Sequence, residues 1–278
     1  VSDSLFKTGI RPAIDAYLDA EAAKVRDYGD YWSASSAGYC KRKVIMDRLQ
    51  VPPIQKDARK QRVFSSGHIF HEWIQRITKD AGLSIASEVE LQDEDLMIRG
   101  HFDDLVLIDG NLILMDYKTA HSKSFTYSQG RPMSYYHRMQ LGTYMYMLRK
   151  DDLLSGLDNP KNPFGKGIVT GGKSLDLTEA RILTISKDDL RMAEKQLFWT
   201  PELEERVKSY WTRLNDYWNK KKWPPCTCKD QESGFMAMEK YNPYYYAGEP
   251  CSTDYYDRCV KEELITDWRQ SNVKQNKN

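Results

Sequence analysis

Two aspartates and a lysine are the first residues in this chain whose types and spacing could do chemistry together. The stretch Ile98 to Ala120, IRGHFDDLVLIDGNLILMDYKTA, holds two apolar runs around an Asp-Gly pair. Asp-Gly favours the positive φ angles of a two-residue hairpin turn, so the spacing predicts antiparallel strands with Ile108 opposite Asn111. Counted outward, Asp103 then faces Asp116 on one side of the ladder, with Cβ atoms about 4.5–5.5 Å apart. Two steps beyond them, Lys118 faces His101. Leu105, Leu107, Leu112 and Leu114 continue the same face, while Phe102, Val106, Ile108, Ile113 and Met115 fill the other. Apolar residues on both faces are the profile of central strands.

Like charges placed opposite one another repel, and buried unpaired carboxylates are costly. A hard divalent cation, Mg²⁺ or Mn²⁺, turns that cost into a binding site, because carboxylate, carbonyl and water oxygens suit it. Lys118 would then stand beside the metal, able to position or activate a water. That set suits metal-assisted hydrolysis of a phosphodiester. The competing reading is a hairpin end open to solvent, with Lys118 as a counterion.

Other elements must hold this hairpin. Residues 1–30 read as a polar, helical arm, and AGYCKRKVIMDRLQ around Cys40 as a helix stopped by Pro52-Pro53. A stronger helix is predicted from Ser66, as N-cap, to Asp80, with Ile69, Phe70, Trp73, Ile74 and Ile77 as its apolar stripe. His68, His71 and Gln75 share its other side. Strands are predicted at about 85–92, 96–108, 111–118 and 180–186, and a helix through RMQLGTYMYMLRK to Lys150. Residues 155–174 are rich in Gly, Pro and Asn and read as a long loop or an ordered excursion near the site. Two further helices are expected at about 187–199 and 201–222, the second with Thr200 as N-cap and Pro201 at its first position.

Composition sets the class. The chain has 278 residues, 40% hydrophobic and 29% charged, which fits a globular protein able to bury a good core. A formal net charge of +1 argues against wholesale polyanion binding. It leaves room for local basic runs: CKRK at 40–43, KDARKQR at 56–62 and NKKKW at 219–223. No apolar run approaches the roughly 20 residues that span a membrane, and VSDSLFKTGIRPAID lacks a signal-peptide core, so the expected location is cytoplasmic. Five cysteines, an odd number without a secretory signal, read better as a metal site than as disulfides.

Four short motifs in order resemble those of the PD-(D/E)XK nuclease superfamily, in its RecB-like exonuclease branch. GHIFH (67–71) resembles Gly-x-x-x-His, GHFD (100–103) Gly-x-x-Asp, DYKT (116–119) Asp-x-Lys, and QLGTY (140–144) Gln-x-x-x-Tyr. The resemblance implies an α/β fold with a restriction-endonuclease-like core, in which a mixed central β-sheet is flanked by helices. It implies a single nuclease domain over 1–278: an arm at 1–30, a core at 31–222, and a Cys-rich tail at 223–278 closing onto the Cys40 region. Asp103 and Asp116 would bind the catalytic Mg²⁺ or Mn²⁺ with the Tyr117 carbonyl, and His71 would add a ligand. Lys118 would orient or deprotonate the attacking water, and Gln140 and Tyr144 would line the DNA side. His101 and His137 border the site as possible DNA contacts, and His68 rivals His71 from one turn away.

One cysteine before GHIFH and four near the C-terminus resemble the iron–sulfur subset of that branch, which includes CRISPR-adaptation and AddB-type nucleases. The resemblance implies a [4Fe–4S] cluster on four of Cys40, Cys226, Cys228, Cys251 and Cys259. Structural Zn²⁺ on the same thiolates is the alternative; free buried cysteines are the third. The expected activity is a Mg²⁺- or Mn²⁺-dependent deoxyribonuclease, an exonuclease before an endonuclease, acting on single strands or duplex ends. Recombination, repair or phage- and CRISPR-related processing would supply its setting, with a recombination or annealing protein as partner. No Walker motif is present, so no helicase motor is expected. Two other classes compete: a non-catalytic nucleic-acid-binding module of the same fold, and a zinc-stabilised interaction protein.

Overall fold

Asp109 and Gly110 have φ angles of 51° and 78°, so the Asp-Gly pair makes the positive-φ turn its sequence predicts. The computed structural model of the chain describes residues 9–22, 29–49, 58–150, 169–170, 173–174 and 176–224. In order its elements are α1 (Ile10–Ala22), β1 (Trp32–Ser33), α2 (Lys41–Arg48), α3 (Ala58–Asp80), β2 (Ser84–Asp93), β3 (Ile98–Ile108) and β4 (Asn111–Ala120). They continue with α4 (Ser122–Gln129), α5 (Tyr135–Lys150), β5 (Val169–Thr170), β6 (Lys173–Ser174), β7 (Glu179–Ser186), β8 (Met192–Phe198) and α6 (Pro201–Asn219). The chain groups into two units, residues 1–38 with 56–210, and residues 39–55 with 211–278. The first unit carries the sheet.

The sheet has six strands in the order β1-β3-β4-β7-β8, with β2 also on β3. β2 runs antiparallel along one edge of β3, from Asp93 opposite Ile98 to Ser84 opposite Val106. The other edge is shared. β1 takes it in parallel at Ile98 and Arg99, and β4 takes it antiparallel from Asp104 opposite Met115 to Ile108 opposite Asn111. Residues 100–103 lie between these two partners. β4 pairs in parallel with β7 over its outer eight residues, and β7 is antiparallel to β8. The sheet is therefore mixed, as the α/β expectation required.

Helices cover both faces. Val106, Ile113, Met115, Tyr117 and Ile185 form a buried cluster with Ile74 of α3, flanked by Phe70 and Trp73. Alternation along β4 turns Asp116 to the opposite face, where α5 lies. α5 buries Leu141, Tyr144, Met145, Met147 and Leu148. α6 crosses α5 closely: a Cβ on Gly142 would come within 2.9 Å of Leu203 and 3.1 Å of Val207. Thr200 caps α6, its Oγ1 accepting from Leu203 N–H at 3.2 Å.

Several local expectations are corrected. The helix expected at 187–199 is instead strand β8. Met192–Phe198 is rich in helix-forming residues, yet the free edge of β7 recruits it, and tertiary pairing overrides that weak preference. Ser66 is not an N-cap, because α3 already begins at Ala58; the Ser66 hydroxyl bonds back to the Val63 carbonyl at 2.9 Å. The buried stripe of α3 is narrower than predicted. Phe70, Trp73 and Ile74 face the sheet, while Ile69 is 65% and Ile77 46% exposed. The stretch at 155–174, expected as a loop or an ordered excursion, holds a two-stranded ribbon of β5 and β6, with 155–168 and 171–172 outside the described residues.

Candidate active site

The β3–β4 ladder keeps the predicted register from the turn to Asp104 and Met115, then stops. A continued antiparallel ladder would send the Tyr117 N–H to the Phe102 carbonyl. Instead it donates to Asp103 Oδ2 at 2.7 Å. The strands part here because β3 goes on to β1 while β4 stays with β7. Asp103 and Asp116 thus stand at a fork in the sheet, and they are not a cross-strand pair within it.

Asp116 is 3% exposed, and its Oδ1 accepts from Lys118 Nζ at 2.8 Å and from Gln140 Nε2 at 3.1 Å. Its Oδ2 is buried with no hydrogen-bond partner among the described residues. A buried carboxylate oxygen left so is expensive unless something else binds it. On the other side of the fork, His71 Nδ1 lies 3.6 Å from Asp103 Oδ2, too far for a good hydrogen bond. The imidazole meets the Tyr117 ring edge-on at 6.2 Å.

The electrostatics follow from this crowding. Burial, and then the facing Asp116 charge, push the Asp103 carboxyl up to about 7, against the pull of Lys118 and the Tyr117 N–H. Burial also lowers His71, helped by Lys118. His137 falls to about 4, through burial first and then Lys118. Both imidazoles are therefore neutral at pH 7, which suits ligand or hydrogen-bond roles.

The structure brings together His71, Asp103, Asp116, Lys118 and Gln140, with the Tyr117 backbone between the acids. Tyr144 lies on α5, one turn beyond Gln140. It is 3% exposed and packs on Gly100, where a Cβ would meet its hydroxyl at 3.0 Å and Ala34 Cβ at 2.8 Å. Gly100 is required by that close approach. His101 is not opposite Lys118: the ladder ends short of it, and its Nε2 lies 3.5 Å from Glu90 on β2. His68 is exposed, one turn from His71, and adds only a weak repulsion to it. His137 stands one turn from Gln140 on α5, within the field of Lys118 and Asp116.

Sequence reasoning missed Glu88 and Asp104. Glu88 has φ 54°, drops out of the β2–β3 ladder opposite Asp103, and accepts from Gln75 Nε2 at 2.7 Å. The same Gln75 amide donates to the Asp103 carbonyl at 2.9 Å. Asp104 is wholly buried behind the fork, where it accepts from Thr78, Ser84 and Tyr117. An aspartate in an apolar strand was the available signal for Asp104. Glu88 gave none, because its place depends on the register of β2.

Among the described residues, no three His, Cys, Asp or Glu side chains form a ready-made metal cage. The donor chemistry still fits a hard divalent cation. Two carboxylates feel one another's charge at the fork, one has an oxygen with no hydrogen-bond partner among the described residues, and burial and its acidic neighbours raise the other's pKa. Cys40 is a free, half-buried cysteine just ahead of α2; Cys226, Cys228, Cys251 and Cys259 lie outside the described residues.

Comparison with known proteins agrees with this arrangement at the level of family. Among curated proteins no sequence matches. The solved structures that match this chain include three with TM-scores below 0.5. The protein SSO0001 is 17% identical with a TM-score of 0.42, covering 78% of this chain and 90% of its own. LHK-Exo in complex with dAMP is 15% identical with a TM-score of 0.43, covering 70% and 94%. An alkaline exonuclease, LHK-Exo from Laribacter hongkongensis, is 16% identical with a TM-score of 0.41, covering 74% and 97%. A family description matches residues 15–214, which include the fork, both acids, Lys118 and Gln140, and the chain belongs to the PD-(D/E)XK nuclease superfamily.

Proposed function

We propose that this chain is a Mg²⁺- or Mn²⁺-dependent deoxyribonuclease that hydrolyses phosphodiester bonds at the β3–β4 fork, removing nucleotides from DNA ends. The observation that carries it is the Asp116 Oδ2 left without a hydrogen-bond partner among the described residues, with Lys118 on the other oxygen and Asp103 near enough to feel its charge. Asp103, Asp116 and the Tyr117 carbonyl would hold the cation, with His71 near enough to join them. When bound, the cation supplies positive charge that neutralises the phosphate and makes a nearby water acidic.

The chain's own residues then have distinct work. Lys118, hydrogen-bonded to Asp116, presents an ammonium that can orient the attacking water. Gln140 fixes Asp116 from α5, leaving Oδ2 free for the cation. His71 and His137 flank Asp116 and Lys118 from α3 and α5, as neutral imidazoles able to donate to phosphate oxygens. Membership of a nuclease superfamily supports the reading, as does the retention of both acids and the lysine.

A second part of the proposal concerns the cysteines. Four of Cys40, Cys226, Cys228, Cys251 and Cys259 would hold a [4Fe–4S] cluster in a structural role. The order of the cysteines around the nuclease motifs supports it. Anaerobic purification should give a brown protein with broad absorbance near about 400 nm. A colourless protein carrying zinc would replace the cluster with the alternative metal.

The activity is tested with labelled linear and closed circular single-stranded DNA, plus duplex DNA, in Mg²⁺, Mn²⁺ or EDTA. Linear DNA should shorten from its ends in either metal and stay intact in EDTA, while circles persist. Cutting of circles would make the enzyme an endonuclease. Intact DNA in every condition would leave a non-catalytic nucleic-acid-binding module.

A further inference from the structure

Asp104 raises the question of why a carboxylate lies in a core position where an apolar residue would serve the sheet. It is 0% exposed, two residues before Val106 and on the same face. Three hydroxyls converge on it. Thr78 of α3 donates to Oδ2 at 2.7 Å, Ser84 of β2 to Oδ1 at 2.6 Å, and the Tyr117 phenol of β4 to Oδ2 at 2.9 Å. One side chain therefore ties a helix and two strands to β3. A buried polar group satisfied this fully specifies one arrangement, and losing any partner strands the rest.

The network lies directly behind the fork. Tyr117 is 1% exposed; its phenol is bound to Asp104, and its backbone N–H holds Asp103 Oδ2 at 2.7 Å. Its ring also seats the His71 imidazole edge-on. Thr78 stands seven residues after His71 and three after Gln75, so the three share one face of α3. Gln75 holds the Asp103 carbonyl at 2.9 Å. Asp104 and Gln75 thus fix Asp103, Tyr117 and His71 from behind without facing the open side of the fork.

We propose that Asp104, with Thr78 and the Tyr117 phenol, is a positioning clamp that sets the separation of Asp103 and Asp116 and the aim of the Tyr117 carbonyl. The proposal rests on the metal-dependent reading of the fork. The clamp does not touch the reacting atoms. It acts through Tyr117, and its effect is to preorganise the cation site so that little must move when the site fills.

The test uses the full chain with Mn²⁺ alone as probe, by titration calorimetry in metal-stripped buffer, alongside Mn²⁺-dependent DNA cleavage and thermal melting. Tyr117→Phe removes one donor to Asp104 and keeps the ring. It should weaken Mn²⁺ binding by about 10–100-fold, the usual scale for loss of a group supporting a metal ligand. The Mn²⁺ concentration for half-maximal cleavage should rise in parallel, with kcat reduced and KM for DNA within about twofold. Thr78 supplies a second pair of variants in case Tyr117→Phe folds poorly. Thr78→Val keeps the shape and loses the hydroxyl, and should shift Mn²⁺ affinity the same way. Thr78→Ser keeps the hydroxyl and should retain wild-type affinity.

A merely structural role would reverse the Thr78 pair, since valine preserves packing better than serine. Wild-type Mn²⁺ affinity in folded Tyr117→Phe and Thr78→Val, with the parent protein binding and cleaving normally, overturns the clamp alone. A parent that neither binds Mn²⁺ nor cuts DNA overturns the nuclease reading, and the clamp with it.

Discussion

Tyr117 donates its backbone N–H to Asp103 Oδ2 at 2.7 Å, at the first rung where β3 and β4 cease to be a ladder. That one bond wedges a carboxylate between two strands at the fork left where β3 goes on to β1 and β4 stays with β7. The acids are close enough for burial and mutual repulsion to hold Asp103 partly protonated near neutrality.

Removing the acid at the base of the fork should abolish chemistry with the fold intact. Asp116→Asn keeps the shape and the Gln140 contact side but loses the charge that pairs with Lys118 and would hold the cation. Cleavage should fall at least about a hundredfold, and Lys118→Met should lower kcat about 10²–10⁴-fold with little change in DNA binding. Single-turnover rates and gel-shift titrations in Ca²⁺ check the two halves of that statement.

Stability of the metal-free protein should fall with rising pH through the range set by Asp103. Its folded pKa is raised from 3.8 to about 7. Below about pH 4 both folded and unfolded chains carry the proton. Between about 4 and 7 the unfolded chain has lost it while the folded chain keeps it, so each step up in pH favours unfolding. Asp103→Asn has no such penalty. In EDTA its melting temperature should gain on the parent as pH rises from 4 to 7, and an unchanging difference would contradict the repulsion between the acids.

Mn²⁺ affinity should rise with pH through about 7, because the Asp103 proton must leave before the oxygen can act as a ligand. Calorimetry in buffers of different ionisation heat should record proton release on binding at pH 6. Little release should remain at pH 8.

Gly100→Ala should damage the fold more than the chemistry. The new methyl would press on Ala34 Cβ at 2.8 Å and on the Tyr144 hydroxyl at 3.0 Å. Such overpacking costs about 1–3 kcal/mol. Thermal melting should show the loss, and the loss due to Gly100→Ala should be smaller in a Tyr144→Ala background, which clears one of the two contacts.

How much of this was legible from sequence follows from what is local. Asp109-Gly110 carries its own turn geometry, so the register from Ile108 to Asp104 could be counted out. The break at Asp103 could not, because it depends on β1 claiming the edge of β3 at Ile98 and Arg99. Strand β8 was hidden for the same reason: Met192–Phe198 reads as helix until β7 offers an edge. Gln140, expected from helical spacing and family resemblance on the DNA side, donates to Asp116. Tyr144 shares its face yet ends in the core, since the strand it meets, at Gly100, is distant in sequence. Asp104 and Glu88 depend on contacts from α3 and β2 that no local pattern encodes.

Asp103 and Asp116 are proposed to form one cation site on which cleavage depends. Titration of the metal-stripped protein with Mn²⁺, parent against Asp116→Ala, tests it most directly. The expected result is a site in the parent whose occupancy tracks the rate of DNA cleavage. In Asp116→Ala, still folded by its melting curve, that site and the cleavage should vanish together. Equal Mn²⁺ binding in the two proteins, or cleavage by Asp116→Ala at the parent rate, would contradict it.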